Sequence, residues 1–148
     1  MKRFDYDFLT SKLKDSVLVY TEIPHEEVTR LGEKAASEYI SPEHSAAWFW
    51  RMQSGFGSRI YGKDGWFWLR DYLQGQETVL FFSPLSAQPG FRFADGSKLI
   101  QFLKGIRYFR EFYLTNSRGE FLIFNFHEEI TYGTGLAETW IDEEHHKF

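Results

Sequence analysis

Apolar side chains at Phe4, Phe8, Leu9 and Leu13 recur at helical spacing, which predicts a short amphipathic helix over residues 4–13. Residues 17–23 form a β-branched run and read as a strand. Pro24 then suits a first helical position, and Glu26 and Glu27 fall in the first turn, where the helix dipole favours carboxylates. Val28, Leu31, Ala35 and Tyr39 continue that helix as one apolar stripe, with Gly32 as its weak point. Ser41-Pro42-Glu43 can open a further helix, Ser41 capping it, with Ala46, Ala47, Trp48, Phe49 and Trp50 behind. Glycines at 55, 57, 62 and 65 make residues 54–65 a loop with room for a brief strand at Ser58–Tyr61.

The second half alternates in the same way. Residues 66–73 fit a helix with Trp66, Leu69, Tyr72 and Leu73 on one side, or a strand; helix is the expectation. Residues 78–82 are a short apolar strand ended by Ser83-Pro84, and residues 91–93 offer it a partner. Asp95-Gly96-Ser97 can start a helix whose Leu99, Ile100, Phe102, Leu103 and Ile106 share one stripe. The strongest β signal follows, at residues 111–115 and 120–126, joined by the turn Asn116-Ser117-Arg118-Gly119. Residues 130–133 add a third strand, and Leu136, Trp140 and Ile141 mark a last short helix before a tail holding His145 and His146. Strands joined by hairpins, with helices mostly ahead of them, predict an α+β fold: one domain over residues 1–148, an antiparallel sheet with a C-terminal meander, covered by helices on one face.

Composition sharpens this picture. The chain has 148 residues, 43% hydrophobic and 26% charged, which suits one globular domain with a core of its own. Cysteine is absent, so thiol nucleophiles, disulfides and cysteine-ligated metals are excluded. The charged N-terminus resembles neither a signal peptide nor a membrane span, and a cytoplasmic protein without membrane contact is expected. The net charge of −4 disfavours a binder of duplex nucleic acid. Charge is also polarised along the chain. Residues 98–118 hold Lys98, Lys104, Arg107, Arg110 and Arg118 against Glu111, whereas residues 120–148 hold seven acids against Lys147. An acidic surface left exposed by this polarity would seek a basic partner.

Catalytic constellations are harder to find. Five histidines are present, but no H-E-x-x-H motif, and the neighbours His127 and Glu128 on a strand would point to opposite faces. Serines lack a G-x-S-x-G setting, and Gly55-Phe56-Gly57 lacks what a phosphate-cradling loop requires. No metal, cofactor or catalytic residue is therefore expected. The 16 Phe, 8 Tyr and 5 Trp are the anomaly. Most belong in a core, yet Trp48-Phe49-Trp50 and Trp66-Phe67-Trp68 place consecutive rings that neither a helix nor a strand turns to one side. Some of these rings should line a groove for a partner or an apolar ligand.

The segment FYLTNSRGEFLIFNFHEEITYGTGLAETWI, within residues 111–141, resembles the ending of small acidic bacterial immunity proteins encoded beside polymorphic toxins. The resemblance implies an inhibitor, not an enzyme, that binds a cognate toxin, often a nuclease, and occludes its active site. Candidate partner-binding residues are Glu120, Glu128, Glu129, Asp142 and Glu143 with Trp48, Trp50, Trp66 and Trp68 as aromatic anchors, in a monomer or homodimer. The alternative is a small-ligand-binding domain or minor hydrolase with an aromatic pocket between the two Trp clusters.

Overall fold

Residues 3–39, 57–62, 64–82, 88–106, 111–126 and 130–144 are described by a computed structural model of the chain. Their order is α1 (Arg3–Asp15), β1 (Tyr20–Ile23), α2 (His25–Tyr39), β2 (Ser58–Tyr61), a 3-10 turn (Gly65–Trp68) running into α3 (Leu69–Leu73), β3 (Thr78–Phe81), β4 (Gly90–Phe93), α4 (Gly96–Gly105), β5 (Phe112–Thr115), β6 (Phe121–Phe126), β7 (Ile130–Gly135) and α5 (Leu136–Glu144). The helix expected from Ser41 falls outside the described residues. Among those described, no helix is long and apolar enough to cross a membrane.

The fold is α+β, a seven-stranded antiparallel sheet in the order β1-β4-β3-β5-β6-β7-β2. The predicted meander β5-β6-β7 stands inside it rather than alone. Strands β3 and β5 are buried along their whole length because both of their faces are covered, each being apolar or aromatic apart from one buried threonine. Four helices make the expected layer on one face: Leu9 and Leu13 of α1, Leu69 of α3, Leu99 and Leu103 of α4, and Ile141 of α5 meet Leu80, Phe93, Phe112 and Ile123 of the sheet. Helix α2 adds a second layer on the opposite face, where Val28, Leu31 and Ala35 cover Val79, Phe81, Leu122 and Phe124. The part of the helical stripe made by Val28, Leu31 and Ala35 is thus the cover of the second face.

Three local devices hold these layers in register. Asp95 caps α4: one of its carboxylate oxygens accepts from Ser97 N–H at 3.0 Å and from Gly75 N–H at 3.0 Å, which ties the helix start to the end of α3. The β5–β6 turn closes on Asn116, whose side-chain oxygen accepts from Arg118 N–H and Glu120 N–H at 3.1 Å each, with Gly119 at φ 65 supplying the left-handed step. Glu77 then pins the turn to β3 by accepting from Ser117 N–H at 2.7 Å. Across the α2 face, directly opposed residues of five strands form one aromatic row: Phe81, Tyr113, Phe124 and Tyr132 stack in turn, and the Arg59 guanidinium ends the row 5.2 Å from the Tyr132 ring centroid.

Candidate functional site

Helix α5 follows β7 without a linker, since Gly135, at φ 66, turns the chain and the Leu136 N–H donates to the Glu120 carbonyl oxygen at 3.0 Å. Ala137 and Ile141 face the sheet. Helical geometry then leaves Glu138, Asp142 and Glu143 away from the core, and Asp142 and Glu143 are exposed. Asp142 accepts a hydrogen bond from the Ser58 hydroxyl, which ties α5 to the edge strand β2. Among the described residues no cation pairs with Glu138, Asp142 or Glu143. Trp140, on the same helix, lies 5.6 Å from the ring of Tyr72 in α3. Trp68, one turn before Tyr72, is 45% exposed. The carboxylates of α5 and a partly bare tryptophan therefore belong to elements packed on one face of the sheet.

The other predicted site residues separate from this group. Glu120 stands at the start of α5, roughly 10 Å along the helix from Asp142, and its carboxylate serves the hairpin, accepting from the Asn116 side chain at 2.8 Å and pairing with Arg118 at 3.4 Å. Trp66, expected as a surface anchor, is a core residue with 1% exposure, its ring set edge-on to Phe112 at 5.9 Å. Trp66 and Trp68 stand two residues apart on a helical turn, which sets them on opposite sides, Trp66 inward and Trp68 outward. Trp48, Trp50, Glu128 and Glu129 lie outside the described residues.

Sequence reasoning missed a second exposed group. Val17 is 100% and Val19 88% exposed, and Tyr61 at the end of β2 is 63% exposed. Residues 16–19 and the start of α4 enclose an open apolar groove of about 550 Å³, walled by Leu18, Phe93 and Phe102 with Lys98 and Asp95 at its rim. Asp95 stays ionised well into acid, because its hydrogen bonds with Ser97 outweigh its partial burial and hold its pKa below the ordinary aspartate value. The signal was available: Val17 and Val19 alternate with the inward Leu18 and Tyr20, as a strand continuing past its sheet would. No Trp lines this groove among the described residues, so the ligand pocket imagined between the two Trp clusters is not this one. Among the described residues no group of three or more His, Asp or Glu is placed to hold a metal ion.

The chain matches no family model, no curated protein and no solved structure.

Proposed function

We propose that this chain is a non-enzymatic interaction domain of the immunity type, acting in the bacterial cytoplasm by binding a basic toxin domain and covering its active face. The observation that carries this reading is α5, whose nine residues include Glu138, Asp142, Glu143 and Glu144 and no base. One helix thus carries four negative charges, as many as the net −4 of the whole chain. A surface of one sign steers an oppositely charged partner and speeds its association, while a large ring beside it supplies desolvated contact area. The Trp140–Tyr72 pair is the aromatic surface that α5 itself carries, and Trp68, on the turn that runs into α3, is a further exposed ring. A nuclease, which must attract phosphate, presents the complementary basic cleft.

The test is to mix the purified protein with the toxin domain encoded beside its gene and to follow toxin activity and complex formation by size-exclusion chromatography. A 1:1 complex that inactivates the toxin and loosens at raised salt is expected. Reversing Asp142→Lys together with Glu143→Lys should slow association by about tenfold or more, since steering acts chiefly on the on-rate. Failure to neutralise that toxin overturns the reading. Binding of an apolar ligand is a second reading, favoured by the groove beside Leu18 and Phe102.

A further inference from the structure

Residues 16–19 are held in shape by hydrogen bonds within the bend that follows α1. The Ser16 N–H and hydroxyl both donate to the Leu13 carbonyl oxygen, at 3.1 and 2.7 Å, and the Ser16 hydroxyl oxygen accepts in turn from the Leu18 N–H at 3.2 Å. This small network fixes Val17 and Val19 as the exposed lip of the apolar groove walled by Leu18, Phe93 and Phe102. Helix α4 forms the opposite side, and there Lys98 and Gln101, one turn apart, stand exposed as neighbours. Among the described residues neither side chain makes a hydrogen bond or an ion pair. We propose that this groove binds a small carboxylic acid with an apolar tail, the tail lying on Leu18, Phe93 and Phe102 and the carboxylate meeting the Lys98 ammonium.

Size and charge select this occupant. The groove holds about 550 Å³, and sites for small molecules usually enclose roughly 300 to 1,000 Å³. Its walls are mainly apolar, so an apolar tail laid there leaves water and takes the valines with it. Of the two charged groups at the rim, Asp95 is already engaged: one carboxylate oxygen accepts from Gly75 N–H and Ser97 N–H at 3.0 Å each and from the Ser97 hydroxyl at 2.7 Å, as the cap of α4. Lys98 has no such engagement. Its ammonium and the Gln101 amide are two donors side by side, and a carboxylate has two oxygens to accept from them. Asp95 stays near enough to temper that attraction, so an acid should be preferred over a neutral tail by about fivefold, as for an ion pair open to solvent. This inference deepens the ligand-binding reading given above and rests on it, and it is independent of toxin binding.

Chemical-shift titration of the isotope-labelled full chain with octanoate, octanol and octylammonium, each below its micelle-forming concentration, tests this. Octanoate should move the amides of residues 16–19 and 93–102 and bind about fivefold more tightly than octanol, with octylammonium no better than octanol. Lys98→Met keeps the apolar stem and removes the charge; it should abolish the preference for octanoate and leave octanol binding unchanged. Lys98 is exposed, so the variant should fold as the parent does. Octanol bound as tightly as octanoate keeps the groove as a ligand site and overturns the assignment of a carboxylate, as does a preference that survives Lys98→Met. No shift at the groove with any of the three overturns the ligand-binding reading together with this proposal.

Discussion

Tyr113 of β5 stacks almost flat on Phe124 of β6, with 4.5 Å between ring centroids and 14° between their planes. The two residues are directly opposed in the ladder and sit midway along the aromatic row beneath α2. Truncating either ring removes a large buried area and leaves a hollow that neighbouring rings on a rigid sheet cannot fill. Phe124→Ala should therefore cost about 3 to 5 kcal/mol of unfolding free energy, of which about 0.5 to 1.5 kcal/mol is the stacking itself. Urea denaturation measures it, and Phe124→Leu should recover most of the loss.

Asp95 predicts a pH dependence whose sign is fixed by its hydrogen bonds. Its native pKa lies below the ordinary aspartate value of 3.8, so the native state holds the proton less tightly than the unfolded chain. The stabilisation is complete above that ordinary value and is lost as pH falls through the lower native one. Asp95→Asn keeps the capping acceptor but not the titration, and should flatten the acid limb of stability while changing little at neutral pH. Asp95→Ala loses the cap altogether, at a cost of about 0.5 to 2 kcal/mol at every pH above the transition. Thermal melts of the three proteins between neutral and acid pH check both statements.

Two glycines of α4 should respond to alanine with opposite signs. A Cβ on Gly96 would lie 2.2 Å from the Thr78 hydroxyl oxygen and 2.8 Å from the Leu73 Cβ, so helix and strand would have to part. Gly96→Ala should destabilise by about 1 to 3 kcal/mol. A Cβ on Gly105 meets nothing within 4 Å. Gly105→Ala should gain up to about 1 kcal/mol from helix propensity. Chemical denaturation of the pair, each against the parent, separates close packing from propensity within one helix.

Local pattern carried much of the fold. Val28, Leu31 and Ala35 marked α2, Asp95 and Ser97 marked a capped helix, and Asn116 to Gly119 marked a hairpin, because each signal lies within a few residues of the contact that it makes. The edges were not legible. Ser58 pairs with Gly133 and Tyr20 with Phe93, and no periodicity inside a four-residue strand names a partner so far along the chain. Nor did the apolar run of β3 reveal that its second face waits for α2. At the candidate site, the acids of α5 were plain from composition, but its apolar side was read at Leu136, Trp140 and Ile141, whereas Ala137 and Ile141 are the buried residues and Leu136 is exposed. The inward turn of Trp66 was already present in the helical stripe that sets it with Leu69 and Leu73, and its reading as a surface anchor set that stripe aside.

The two strands nearest the N-terminus occupy the two rims of the sheet, β1 beside β4 and β2 beside β7, while the strands between them come from later in the chain. During synthesis β1 and β2 therefore emerge before anything exists for them to pair with. Neither rim can be completed until β4 and β7 have been made, and closing those long loops is an entropic cost borne before any ladder bond repays it. Folding of this domain is thus bound to the arrival of its last strand, and until β4 and β7 emerge β1 and β2 are unpaired, adhesive segments in a crowded cell.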